Sequence, residues 1–234
     1  MQEGSHQMMG YDRASTMFSP DGRLLQVEYA KEAVKQGSTA IGIVCKDGAI
    51  LIADKRVSDE LIISDAVEKI FQVDKHIGAT AVGYVMDGRV LIERAQLIAQ
   101  QHMVTYSVPM ETLNLVKEVS DIKQSYTQYG GARPFGVSVL FVGVDDTGPL
   151  LYVTEPTGIF FQYKATAVGE NSDAIKQILR KEYNENMSVE DGIKLAVKAL
   201  KKVMVKDFDA KRIDGALISQ ATKEYSVIDR KKLK

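Results

Sequence analysis

The 234-residue chain has no tryptophan, five prolines and a single cysteine, Cys45. One thiol closes no internal disulfide and has no second thiol for a zinc or redox pair, so a disulfide scaffold is excluded and a reducing compartment, the cytoplasm, is expected. Three histidines, His6, His76 and His102, lie far apart with no HExxH or Cys/His cluster, so no metal site is expected. Charge of one sign is missing too: 30 Lys+Arg against 31 Asp+Glu leave a formal charge of -1. Without a basic excess, no nucleic-acid partner is expected. No run approaches the ~20 apolar residues of a membrane span, and MQEGSHQMMG lacks the basic start and apolar run of a leader, so no membrane partner is expected either. Gly83 to Gly88 lacks the Gly-Lys-Ser/Thr end of a phosphate loop and reads as a strand-to-helix turn, and no GxSxG elbow marks a serine nucleophile. No cofactor is expected.

What is present is strong periodicity. Ser19-Pro20-Asp21-Gly22 carries helix-start chemistry, and Leu24, Val27, Ala30 and Val34 form an apolar stripe, so an amphipathic helix is expected over 20–35, ended by Gly37. The period then changes. STAIGIVC (38–45) and AILIADKRV (49–57), joined by Lys46-Asp47-Gly48, read as a hairpin, followed by VEKIFQV (67–73) and IGATAVG (77–83). Helices are expected at about 87–103 and 110–128. After Tyr129-Gly130-Gly131 the order repeats: GVSVLFVGV, LLYVTE and FFQYKATAVG as strands, then helices at about 172–184 and 189–204, the second opened by a Ser188/Asp191 capping box. RIDGALIS and EYSVID close the chain as strands, and the basic RKKLK tail is expected to be solvated. Helix pairs placed after groups of strands argue an α+β fold in which two antiparallel sheets are sandwiched between helices. No linker rich in Pro, Gly or Ser divides the chain, so a single domain over 1–234 is expected.

Tyr11-Asp12-Arg13, followed by FSPDGRLLQVEYAKEAVKQGSTAIGI from Phe18 to Ile43, closely resembles the N-terminal signature of 20S proteasome α subunits. The resemblance continues through ILIADKRV (50–57), VEKIFQVD (67–74), YTQYGGARPFGVSVLFVGVD (126–145) and YKATAVG (163–169), nearly the whole chain. It implies a four-layer αββα sandwich of the N-terminal-nucleophile-hydrolase type, with residues 1–37 as gate tail and N-terminal helix and 38–234 as the sandwich. It further implies a protein that does no chemistry itself. Such subunits form heptameric rings with neighbouring α subunits, cap rings of β subunits, receive an AAA ATPase activator and pass unfolded protein substrates through a pore.

Carried over by position, Tyr11, Asp12 and Arg13 match the gate motif, and Pro20 and Tyr29 match positions that brace the open gate. Lys69 matches the lysine that pairs with an activator's C-terminal carboxylate, Gly83 matches a pocket-wall glycine, and Glu28 and Lys31 fall near that pocket on the first helix. Tyr129, Gly130 and Gly131 match the loop that narrows the pore. The generic pattern looks more archaeal than eukaryotic. Two departures stand out: Gly83 to Arg89 differs from the family's run of small residues, and Ser15-Thr16-Met17 replaces apolar residues after the gate motif.

The alternative keeps catalysis. If the Gly37-Ser38 bond were cut, Ser38 or Thr39 would become an N-terminal nucleophile, with Asp54 and Lys69 where catalytic relatives keep an acid and a lysine. A third class, a free-standing module binding a small ligand, would form no ring.

Overall fold

Strands that read as unbroken apolar runs need both faces covered, and four layers provide this. The computed structural model describes residues 10–57, 59, 61–63, 66–205 and 208–233; His6 lies outside them. Antiparallel pairing joins β1 (Ala40–Cys45), β2 (Gly48–Asp54), β8 (Ala165–Val168), β9 (Ile213–Ser219) and β10 (Tyr225–Val227) in the order β10-β9-β2-β1-β8. The second sheet, β3-β4-β5-β6-β7, holds β3 (Ile70–Asp74), β4 (Ile77–Gly83), β5 (Val137–Asp145), β6 (Gly148–Thr154) and β7 (Phe160–Gln162). Helices α2 (Val85–Tyr106) and α3 (Thr112–Tyr126) cover the second sheet, and α4 (Ser172–Glu182) and α5 (Val189–Met204) cover the first.

The two-residue period of a strand sends alternate side chains into different cores. Ile41, Ile43, Ile50 and Ile52 face α4 and α5, whereas Ala49, Leu51 and Ala53 face the other sheet. On β5, Val137, Val139 and Phe141 pack under α2 and α3, while Leu140, Val142 and Val144 join the layer between the sheets. The α+β sandwich expected from the sequence is the observed fold.

Local boundaries differ. Ser19 to Gly22 do not open the first helix but form a tight turn, in which the Gly22 amide donates to the Ser19 carbonyl at 2.8 Å and Phe18 bridges Leu24. Pro20 and Ser19 suit either structure; Gly22, at φ +73°, selects the turn because its left-handed backbone cannot continue a helix. Helix α1 (Leu25–Lys35) therefore starts after Leu24, and Leu25, Val27, Ala30 and Val34 are buried against β4 and β5. The run FFQYKATAVG is two strands in different sheets. The Tyr163 amide still donates to Leu151 of the second sheet at 2.9 Å, while the Lys164 carbonyl already accepts from Val44 of the first at 2.8 Å. The expected strands over 49–57, 67–73 and 224–229 are shorter than their apolar runs. Nor is the tail wholly solvated: Leu233 is fully buried against the α5 core. The Ser188 cap forms as expected, its hydroxyl accepting from the Asp191 amide at 3.2 Å.

Candidate functional site

The N-terminal residues are tied to α1 and to the loop after α3. The Arg13 amide donates to the Gly10 carbonyl at 3.1 Å, turning the chain through Tyr11 and Asp12. Gln26, on α1, donates its amide to the Asp12 carbonyl at 2.6 Å. The Ser15 hydroxyl reaches the Tyr129 carbonyl at 3.5 Å. Backbone contacts thus hold Tyr11, Asp12 and Arg13 near α1, while the side chains of Asp12 and Arg13 make no hydrogen bond or ion pair among the described residues. Pro20 is exposed on its turn, and Tyr29 is exposed on α1.

Tyr129, Gly130 and Gly131 follow the last turn of α3 and precede β5. Tyr129 is exposed, and Gly131 has φ +84°, which permits a bend that a side chain would strain. Just beyond it, Arg133 clasps Asp87 of α2 through two bonds of 2.6 and 2.7 Å. The Gly136 amide adds a third to the same carboxylate at 2.9 Å. Burial pushes the Asp87 carboxyl up, but the Arg133 fork and the Gly136 amide outweigh it and hold it below its ordinary range. Sequence reasoning misses Asp87 and Arg133, because they lie far apart in the chain and neither sits in a motif whose spacing reveals the pair.

Lys69, immediately before β3, is half-buried, and its ammonium makes no hydrogen bond or ion pair among the described residues. Burial lowers its pKa to about 8, with Asp54 opposing and Arg56 adding to the shift. The register that pairs Ile70 with Thr80 brings Lys69 to the same sheet end as Gly83. Gly83 has φ +124°, and a Cβ there would stand 2.2 Å from the Gly136 carbonyl oxygen. Its lack of a side chain is therefore required by the fold of the chain itself. Glu28 and Lys31 pair with each other at 3.4 Å on α1 and form no bond to Lys69.

Thr39, Asp54 and Arg56 meet Glu170 and Arg212 around a cleft of about 490 Å³. Of the groups named in the alternative reading, Thr39 and Asp54 are engaged. Thr39 donates its hydroxyl to the Glu170 carbonyl at 2.6 Å. Asp54 takes the Arg212 guanidinium at 2.8 and 3.2 Å and the Arg56 amide at 3.0 Å. Arg56 also pairs with Glu170. Among the described residues no group of three or more His, Cys, Asp or Glu could hold a metal ion, and no helix is long and apolar enough to cross a membrane.

Known proteins match this chain nearly end to end. Residues 34–218 match the family model described as proteasome subunit, and residues 11–33 match the N-terminal signature of the A-type proteasome subunits. A proteasome alpha subunit of Archaeoglobus fulgidus is 47% identical over 226 residues, covering 97% of this chain and 92% of that protein. The proteasome alpha subunit of Thermococcus sibiricus is 48% identical over 219 residues, covering 94% of this chain and 84% of that protein. That of Methanosarcina acetivorans is 46% identical over 217 residues, covering 93% and 88%. With the family matched across both the sandwich and the segment ahead of it, the chain belongs to the proteasome α-subunit family, in its archaeal form.

Proposed function

We propose that this chain is the non-catalytic α subunit of a cytoplasmic 20S proteasome core: it forms the outer heptameric ring, rests on a ring of β subunits, gates the pore and docks the C-terminal tails of an ATPase activator. The observation that carries this reading is the segment matched by the α-type signature. It holds a turn and a helix, α1, whose apolar face is buried on β4 and β5. Burying Leu25, Val27 and Val34 contributes about 1.5–3 kcal/mol each. Cutting the Gly37-Ser38 bond would free this packed helix as a propeptide, and Gly37 is itself held, its carbonyl accepting from the Glu170 amide at 2.8 Å. An N-terminal nucleophile needs a free amine next to its hydroxyl. Here that position is an internal peptide, and Asp54 is committed to Arg212.

Exposed apolar side chains support assembly. Leu61 is 92% and Ile63 73% exposed in the β2–β3 connection, and Met86, Val90, Leu97 and Val104 line up on one open side of α2. Such surface is what partner subunits bury. Gating is supported by the contacts of Ser15 with the Tyr129 loop and of Gln26 with Asp12. The polar side chains of Asp12 and Arg13 are then available to clasp neighbouring tails across the ring, an ordered arrangement that opens the pore where a disordered one blocks it. Docking is supported by Lys69, a half-buried cation with no partner of its own among the described residues, suited to a carboxylate.

Native mass spectrometry of the full chain, expressed alone and then mixed with a proteasome β subunit, tests the reading. The expected result is a heptameric ring, alone or on β subunits, that releases a single chain of 25.9 kDa. A released chain beginning at Ser38 or Thr39 would overturn it in favour of a processed hydrolase. A monomer that ignores the β subunit would favour a free-standing binding module.

A further inference from the structure

At the end of the sandwich opposite Gly83 lies a larger cleft, about 720 Å³, bounded by the β3–β4 turn, the α2–α3 connection, the β5–β6 turn and the β9–β10 turn. The length of β4 separates it from Gly83, about 20 Å at the rise of a strand. No gate, docking or pore residue lines it. Its volume falls within the roughly 300–1,000 Å³ of small-molecule sites.

Met110, Leu113, Leu150 and Tyr152 give the cleft an apolar wall with one aromatic ring. His76 is a built part of it: buried, lining the cavity, and fixed by a 2.9 Å bond between Nε2 and the Met110 carbonyl. The rim is unbalanced in charge. Lys223 is matched by Asp146 at 2.6 Å. That leaves Glu111, Asp145 and Glu224 against Lys75 alone among the fixed charges of the described lining residues. Glu111 and Asp145 accept only from neutral groups, Asn114 and Thr147, and Glu224 makes no hydrogen bond or ion pair among the described residues. Behind His76, the Asp74 Oδ2 atom is buried without a hydrogen-bond partner, 3.6 Å from the His76 Nδ1 atom.

An apolar wall under an acidic rim recognises a compact hydrophobic body with a cationic head. We propose that this cleft is a binding site for a small amphipathic amine, an aryl- or alkylammonium whose body sits on Met110, Leu150 and Tyr152 and whose head meets Glu224, Asp145 and Glu111. The ring of Tyr152 adds a cation-π contribution where the head passes over it. This site is independent of the proteasome reading, because none of its groups belongs to the gate, the pore loop or the Lys69 region.

The test uses the full chain labelled with ¹³C at methionine methyl groups and titrated with 2-phenylethylamine, 3-phenylpropionate and 3-phenylpropanol. The expected result is a saturable shift of the Met110 methyl with the amine, at a dissociation constant below about 10 mM, and at least about tenfold weaker binding of the acid and the alcohol. Glu224→Gln, at an exposed position with no internal partner among the described residues, is expected to leave the circular dichroism spectrum unchanged and to weaken amine binding about fivefold to tenfold. No saturable shift, equal binding of all three compounds, or undiminished binding to a folded Glu224→Gln variant would each overturn the proposal.

Discussion

Arg133 grips Asp87 with both arms of its guanidinium, and the Gly136 amide closes on the same carboxylate, so the strand entering β5 is bolted to the first turn of α2. The acid lies where the dipole of α2 favours a negative charge. It is buried, whereas the arginine is more than half exposed. Arg133→Ala strands the carboxylate with one amide donor and is expected to cost about 1–3 kcal/mol. Because the folded-state pKa of Asp87 lies below its ordinary value, its contribution is present above about pH 4 and lost as pH falls through the folded value. Urea titrations at pH 7 and pH 3 check both statements: the difference between wild type and Arg133→Ala shrinks at the lower pH. The loop Tyr129 to Gly131, which hangs immediately before this bolt, is expected to exchange its amide hydrogens faster in the variant.

Gly83→Ala places a methyl group 2.2 Å from the Gly136 carbonyl oxygen at a backbone φ of +124°. The atoms it would meet are all backbone, of Gly136 and Val137, and leave no flexible side chain to yield, so the substitution is expected to destabilise by about 3 kcal/mol or more. Thermal unfolding of the Gly83→Ala variant reads this directly. A variant that keeps the wild-type melting temperature refutes the intramolecular requirement. Loss of activator binding by this variant does not by itself assign Gly83 to the docking pocket, because the fold is damaged first.

Lys123 is the largest wholly buried polar side chain, with its Nζ donating to the Thr154 carbonyl at 2.9 Å. Burial drives its pKa well below the ordinary lysine range, against the pull of Glu155. The unfolded chain therefore holds this proton more tightly than the folded one, and stability rises with pH until the unfolded lysine itself titrates. Lys123→Met fills the same space without the charge, and is expected to stabilise the fold by about 1–3 kcal/mol at pH 7 and to flatten the rise at alkaline pH. Guanidinium unfolding from pH 7 to pH 10 checks both. A less stable variant would mean that the hydrogen bond outweighs desolvation.

Much of the architecture was legible because both periods are strong. The β-rich runs around Ile41, Ile50 and Val139 carry apolar residues on both faces, which is the pattern of strands buried between layers. Boundaries were harder, since Pro20 and Ser19 suit a turn as well as a helix start and only the backbone of Gly22 separates the two. The crossing at Tyr163 and Lys164 left no mark in an apolar run that continues into the other sheet. The candidate site was legible only by resemblance: nothing in the spacing of Tyr11, Lys69 and Tyr129 brings them to notice. Pairs such as Asp87 with Arg133 and Asp54 with Arg212 depend on chain segments meeting in three dimensions, which local pattern does not encode.

The docking role proposed for Lys69 predicts a pH profile of its own. A peptide carboxylate stays ionised above about pH 5, whereas the Lys69 ammonium, with its pKa lowered to about 8 by burial, loses its charge as pH rises through that value. Binding of a peptide ending in a free carboxylate to the assembled ring is therefore expected to be flat from pH 6 to about 7.5. Above pH 8 it should fall, approaching tenfold per unit. Lys69→Met should lose the pH dependence together with most of the affinity, and Lys69→Arg, whose guanidinium does not titrate here, should remain flat through pH 10. Fluorescence anisotropy with free-acid and amidated versions of one peptide separates the carboxylate's contribution from that of its side chains. A wild-type profile that stays level to pH 10, or equal affinity for the amidated peptide, would remove Lys69 from the docking role.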